Sequence, residues 1–430
     1  MKKILFLLLV PVIGTAQNLW TLDACIEYAK NNNLSIKQSE VDIEATNIDD
    51  LQAKAAFFPS VNGNLSYNLN QGKNINPVTN QYENAFFQSA SGGVSVELTL
   101  FAGLQNWRKL QQAKLNHLAS VYQSEKMKDD IVLMIINAYG DVLSYKEQLK
   151  NQKAQLEVSK ESLERTRNLI EAGALPQGDI YEAEAQILTQ EQQIIATENA
   201  LFIGKMGLAQ LLLLKNYQDF DIVDNGSENL NNDILSKTPQ EIYQHAREVM
   251  NDVKIAENNV TLAQNSLSIA HSAYSPRLSA QWGYNSRWTK NELQNFWQQL
   301  DANKGMFGGL SLTIPVFNGF NTLGNVKRQQ LNLIKAKLAK EQAEQNTEKK
   351  IYQAYTDAAN AKKLFEATQK TTQAKQQAFQ YAQERHNVGL MNTFDFNQAK
   401  YQYENAQNEV VKAKYQYIFK LKVLEYYFQY

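Results

Sequence analysis

Asp179 and Asp395 are the two residues whose setting most invites a chemical reading. Each lies six positions after a glycine, Gly173 and Gly389, and the two settings are 216 residues apart. Glu182 and Gln398 follow three residues later. Both aspartates therefore read as helix capping boxes, a carboxylate taking up N–H groups that a first turn leaves unpaired. Catalysis has no comparable support. His117, His245, His271 and His386 fall in separate segments, without the His-Glu-x-x-His, Gly-x-Ser-x-Gly or phosphate-loop spacing that such chemistry needs. No cluster of metal ligands occurs, and neither enzyme activity nor a cofactor is expected. The single Cys25 has no disulfide partner and reads as a helix-face residue. A cell-surface hydrolase lacks any constellation to assign.

The elements that position the aspartates are long helices. From Leu104 to Leu214 a helical pattern is broken only by the turn Glu171-Ala-Gly-Ala-Leu-Pro-Gln-Gly-Asp179. Apolar residues at Ile131, Ile135, Ala138, Val142, Tyr145 and Leu149 alternate steps of four and three, and Leu156, Leu163 and Ile170 step by seven. That is a coiled-coil seam. After the turn the seven-residue step resumes at Ile180, Ile187, Ile194, Leu201 and Leu208. The pattern predicts two antiparallel helices joined at Gly173 to Asp179. At ~1.5 Å per residue, ~68 helical residues reach roughly 100 Å, about three times the hydrocarbon thickness of a bilayer. Lys126, Lys128, Asp129 and Asp130 sit mid-helix and are too costly for lipid. Such a hairpin belongs in water and bridges a gap.

The N-terminus carries Met1-Lys2-Lys3, an apolar run from Ile4 to Ile13, and the small residues Gly14-Thr15-Ala16, the pattern of a secretory signal over 1–16. That run is too short to span a bilayer, and no later run approaches the ~18 apolar residues a crossing needs. Export without a transmembrane helix is expected. Basic and acidic residues balance, 43 against 44, which leaves no footprint for nucleic acid. Only seven Pro and 19 Gly, amid abundant Gln, Ala, Lys and Glu, predict a mostly helical chain.

Internal comparison shows one unit used twice. At an offset of 216, Leu100-Phe101-Ala-Gly103 matches Val316-Phe317-Asn-Gly319, and Asn137-Ala-Tyr-Gly-Asp141 matches Gln353-Ala-Tyr-Thr-Asp357. At an offset of 217 Phe58-Pro59 matches Ser275-Pro276, and at 216 the ladder recurs as Phe396, Tyr403, Val410, Tyr417 and Leu424. Tyr139 and Tyr355 hold equivalent seam positions and read as core. The expected organisation is a first repeat over 17–215, a polar linker or equatorial segment over 216–237, and a second repeat over 238–430. Each repeat runs short helix (Leu22 to Ala56; Pro239 to Ala273), strand, loop, strand, long helix, turn, long helix.

Four segments alternate with period two. One face carries Val61, Leu65, Tyr67, Leu69; Val94, Val96, Leu98, Leu100; Leu278, Ala280, Trp282, Tyr284; and Leu310, Leu312, Ile314. The other carries Asn, Ser and Thr with Glu97, and aromatics including Phe101, Trp288 and Phe307 cluster near the strand ends. A soluble sheet packed on a helix alternates equally well. Export, aromatic ends and a polar inner face favour a membrane barrel instead. Four strands cannot close, and open edges cannot face lipid. Three chains would give twelve strands and leave a passage, whereas two would give eight and a filled lumen. The loops Gln71 to Asn84 and Thr289 to Gly305 are expected on the outer side. Glu97, and Arg287 beyond the end of its strand, would set lumen polarity.

The Phe-x-Gly exits at Phe101-Ala-Gly103 and Phe317-Asn-Gly319, the Phe-Pro and Ser-Pro starts, and the turns Gly173-Ala-Leu-Pro-Gln-Gly-Asp179 and Gly389-Leu-Met-Asn-Thr-Phe-Asp395 give the whole mature chain a resemblance. It resembles the TolC-like outer membrane efflux protein family, the outer membrane factors. The resemblance implies a mainly α protein with a membrane β-barrel: an antiparallel coiled-coil α-barrel of twelve helices through the periplasm, and four strands per chain in a 12-stranded barrel of a homotrimer. It also implies a periplasmic adaptor (membrane fusion) protein and an inner-membrane RND or ABC pump as partners in efflux or type I secretion. The periplasmic aperture would carry Asp395, with Asp179 its first-copy counterpart, and the turns at Gly173 and Gly389 would dock the adaptor. Gln398 and Met391 stand where familiar members have an aspartate and a basic residue, so a closing network of ion pairs is not implied here. The alternative is a periplasmic coiled-coil adaptor or scaffold, which typically has one hairpin rather than two. The transported substrate is not legible, since selection happens mostly at the pump.

Overall fold

A computed structural model describes residues 19–75, 80–215, 217, 220–224, 232–290 and 294–429. The expected signal segment, much of the linker and parts of both strand-connecting loops lie outside the described residues. The first half of the chain runs β1 (Leu19–Trp20), α1 (Leu22–Asn32), α2 (Leu34–Ala55), β2 (Ser60–Ile75), β3 (Tyr82–Ala102), α3 (Gln105–Glu171) and α4 (Gly178–Leu211). The second runs β4 (Asp221–Ile222), a 3-10 turn (Asn232–Ser236), α5 (Pro239–Val249), α6 (Asn251–Ser272), β5 (Arg277–Thr289), α7 (Phe296–Ala302), β6 (Gly305–Thr313), α8 (Asn321–Asn387) and α9 (Thr393–Gln429). Each expected short helix is in fact two. Asn33 ends α1 in an extended conformation, its side-chain amide donates to Leu211 O at 2.9 Å, and its Oδ1 accepts from Ser35 N. Met250, with nearly the same backbone angles, divides α5 from α6.

These elements form two compact units, each drawing on both halves of the chain. The first comprises Met1–Ser39, Ser124–Val253 and Glu344–Tyr430. Its larger core packs Ile131, Ile135, Tyr139 and Val142 of α3 with Leu208 and Leu212, and with Ile418 and Phe419 of α9. Gly140 admits the Phe419 ring, because a β-carbon there would lie 2.5 Å from it. The Tyr139 hydroxyl donates to Trp20 O and Val223 O, fastening the parallel β1–β4 pair to α3. Its repeat counterpart, Tyr355, donates to Leu235 O at 3.4 Å. Lys146 and Lys205 flank Asp221 at 2.7 and 2.8 Å, and although burial pushes that carboxyl upward, these partners hold it below the usual range. Cys25 is fully buried in the same core, which pushes its thiol up to about 12 and leaves it unreactive at neutral pH.

The second unit comprises Glu40–Gln123 and Lys254–Ala343. It contains one antiparallel sheet in the order β2-β3-β5-β6. The register puts Val61 opposite Val96, Val96 opposite Trp282, and Ala280 opposite Leu310, so the apolar residues of all four strands share a face. That face is open: Leu65 is 87% exposed and Leu310 is 71% exposed. Two residues depart from the expected pattern. The ladder skips Leu100 between Thr99 and Phe101, so Phe101, not Leu100, lies opposite Leu278; a bulge moves a strand's outward set by one residue. Phe307 belongs to the mainly polar face, its ring covering Gly283, where a β-carbon would lie 2.4 Å away. The strands also reach further than expected. β2 and β3 pair as far as Ile75 and Tyr82, β5 runs through Thr289 and so includes Arg287, and the next connection contains α7.

The repeated Phe-x-Gly exit has a backbone cause. Gly103 and Leu104 have φ of +61° and +63°, and Gly319 and Phe320 of +64° and +64°, two successive left-handed residues that turn the chain into a long helix. A side chain at the glycine costs about 1–2 kcal/mol in this region. At Gly103 a β-carbon would also lie 2.5 Å from Ser275 Cβ, whereas at Gly319 its nearest neighbour is 3.9 Å away. Gly103→Ala should therefore lower the unfolding temperature clearly more than Gly319→Ala; equal losses would show that the close approach to Ser275 carries no weight.

Candidate functional site

Both hairpin turns are built alike. Gly173, with φ +72°, donates to Ile170 O at 2.9 Å while Ala174 N reaches Leu169 O at 2.8 Å. Gly389, with φ +73°, repeats the pattern to His386 O and Arg385 O at 3.0 and 2.8 Å. This is a Schellman stop, whose left-handed residue is naturally glycine. Arg385 Nη2 adds a bond to Leu390 O at 3.1 Å.

The aspartates do not cap as expected. At the second turn the capping residue is Asn392: its Oδ1 accepts from Asp395 N at 2.7 Å and its amide donates to Asp395 Oδ2 at 2.9 Å. Asp395 is thus the third-position partner of the box, not its head, and it remains exposed. At the first turn Gln177 precedes α4 with no side-chain cap, and Asp179 Oδ2 instead accepts from Thr393 Oγ1 at 2.6 Å. Residues of the two turns, 214 positions apart, are therefore joined directly. Around them Leu390 and Phe394 are exposed, and His386 stacks on Phe396 at 4.6 Å.

Sequence reasoning missed a second cluster. Lys400 and Glu404, one turn apart on α9, are only 6% and 7% exposed, with Nζ and Oε1 3.8 Å apart. Lys400 donates to Ser159 Oγ of α3 at 2.8 Å, and Gln190 of α4 donates to Glu404 Oε2 at 2.9 Å. Burial lowers the lysine and raises the glutamate from their ordinary values, each charge partly offsetting the effect on the other. Beside them lies a cleft of about 220 Å³ lined by Gln186, Gln190, Asn405 and Asn408. The apolar ladder of α9 packs elsewhere: Phe379 of α8 stacks on Tyr403, and Phe365 on Tyr417. A mark was available in the sequence, since Lys400 and Glu404 fall between ladder residues at helical spacing.

In the sheet, Glu97 is exposed on the polar face, opposite Ser60 and Gln281, in the same row as Thr99, which accepts a hydrogen bond from Arg277. No helix among the described residues is long and apolar enough to cross a membrane, and none of them form a group of three or more metal-ligating side chains.

The chain thus joins an amphipathic antiparallel sheet with an exposed apolar face to two pairs of long helices. The chain belongs to the Outer membrane efflux protein family, whose model matches residues 25–212 and 242–425. Its fold is that of a membrane protein from Pseudomonas aeruginosa (TM-score 0.81, 18% identity, 95% of this chain and 90% of that one). It is also that of the outer membrane protein VceC from Vibrio cholerae (TM-score 0.76, 15% identity, 94% of each). The open state of the MtrE outer membrane channel of Neisseria gonorrhoeae is similar as well (TM-score 0.74, 16% identity, 95% and 88%). No curated protein matches the sequence. Family membership places the chain in the outer membrane.

Proposed function

We propose that three chains complete a twelve-stranded barrel and a helical tunnel, the passive exit duct of a tripartite efflux or type I secretion assembly. The observation that carries this reading is the sheet order β2-β3-β5-β6, which leaves β2 and β6 as edges while the apolar face stays uncovered. In lipid every backbone group must be paired, so those edges need partners, and sister subunits supply them. The two repeats, 17–215 and 238–430, each contribute two strands and one hairpin to the wall. Glu97 faces the lumen. A periplasmic adaptor docks on the turns at Gly173 and Gly389, where exposed Leu390 and Phe394 offer apolar contact, and an RND or ABC pump supplies the energy. The adaptor-or-scaffold reading gives way to the family assignment.

Opening is a relative slide of the two hairpins, and the Asp179 to Thr393 bond is the contact it must break. Asp395 places a carboxylate at the aperture, where three copies would disfavour anions. Its capping role costs about 1 kcal/mol or less when removed, so the assembly should survive Asp395→Ala. Bilayer recordings of that variant should show greater leak and weaker cation preference, and Asp179→Ala should raise leak by freeing Thr393. Unchanged conductance and selectivity in both variants would remove the aperture assignment.

A further inference from the structure

β6 begins at Gly305, opposite Asn285, and leaves the last four residues of β5 without a neighbour on that side. Helix α7 takes up this edge with side chains. Gln299 Oε1 accepts from Thr289 N at 2.7 Å, and the Asn303 amide donates to Arg287 O at 3.0 Å. Gln299 is almost wholly buried, and its own amide donates to Gln294 O at 2.7 Å. A reciprocal capping box between Asn295 and Gln298 fixes the start of the helix. The segment is therefore held rigidly. Yet it displays Phe296 and Trp297, the latter 75% exposed.

The side of the sheet is also determined. Ser286 and Trp288 continue the row of Leu278, Ala280, Trp282 and Tyr284. The Ser286 hydroxyl donates to Leu300 O at 2.6 Å, and Trp288 meets Phe296 at 5.7 Å between ring centres, with Trp297 5.1 Å further on. So α7 lies toward the apolar face, not the polar one. Trp288 stands ten residues beyond Leu278 along β5. Ten residues of strand cover about 33 Å, and at the usual barrel tilt this spans roughly 25 Å of membrane depth, the height of an outer-membrane apolar band.

We propose that α7 is a membrane-surface helix, seated on the outer wall of the barrel with Phe296 and Trp297 in the layer where the outer leaflet's acyl chains meet its headgroups. Rigid amphipathic rings are the side chains that layer favours. The occupant is lipid because the aromatic trio prolongs, one residue past Ser286, the row assigned to the bilayer. The proposal rests on that assignment of the row, and the test separates the two.

Two single-tryptophan proteins are reconstituted into vesicles of phosphatidylcholine brominated either near the headgroup or deep in the chain. One retains Trp297, with Trp20, Trp107, Trp282 and Trp288 changed to Phe; the other retains Trp282. Trp297 emission should fall with shallow bromine more than with deep bromine and resist aqueous iodide, while Trp282 falls with deep bromine. Loss of Trp282 emission with none at Trp297 would overturn the helix proposal and leave the barrel standing, whether iodide reaches Trp297 or a neighbouring subunit shields it. No quenching of either by lipid would overturn the barrel reading itself. Should those proteins fail to assemble, a spin label on Trp297→Cys in a Cys25→Ala background reads the same depth: greater relaxation by oxygen than by a nickel chelate supports lipid contact, and the reverse contradicts it.

Discussion

A Leu310→Arg chain is expected to lose assembly in the outer membrane, while Ser311→Arg, its neighbour on the opposite face, retains it. Leu310 lies mid-strand in β6, across from Ala280 and in the row of Leu98, and it is 71% exposed among the described residues. An outward arginine costs up to about 2–4 kcal/mol at the midplane and less toward either interface; Leu310 lies between the two, and a trimer would carry three, a combined cost of several kcal/mol against the roughly 5–15 kcal/mol that stabilises an ordinary domain. Ser311 pairs with Ser279 in the polar row, where a cation would meet water in the lumen. Heat-resistant trimer on unboiled gels should vanish for Leu310→Arg only. Equal tolerance of both substitutions would mean that the apolar face is not against lipid.

The second large effect is expected at Glu404. Glu404→Ala leaves the Lys400 ammonium buried with the Ser159 hydroxyl and no counter-charge, and losing one member of a buried pair costs about 3–5 kcal/mol. The double replacement Lys400→Met with Glu404→Leu removes both charges and should recover most of that loss, because a well-packed apolar pair can equal or exceed an ionic one. Thermal unfolding of the single and double variants measures this. A single variant as stable as the parent would show that water reaches Lys400 in the assembled protein.

The pattern of apolar residues carried much of the architecture. The seven-residue ladders located the long helices and their turns, and the alternation in four segments located the faces of the sheet, because burial and lipid contact both act on side-chain periodicity. What escaped depends on single backbone events or on distant partners. A bulge at Leu100 exchanged one outward residue for the next, and period-two alternation gives no sign of where a strand gains a residue. The capping register slipped because Asn392 and Asp395 are both good first-turn residues, and only geometry shows which one heads the box. The Asp179 to Thr393 bond and the contacts of Lys400 and Glu404 with α3 and α4 join positions far apart in the chain, which no local spacing reveals. The short helix α7, only seven residues long, shows no helical periodicity in the sequence, and beyond its Asn295–Gln298 capping box it is held by Gln299 and Asn303 binding β5.

Native mass spectrometry of the detergent-extracted protein tests the central claim most directly. Three copies of the chain, whose 430 residues weigh 48.9 kDa, should fly as one complex, because in the proposed assembly sister strands satisfy the edges of β2 and β6. A stable monomer, or a closed dimer, would contradict the account of how the wall is completed and with it the bore.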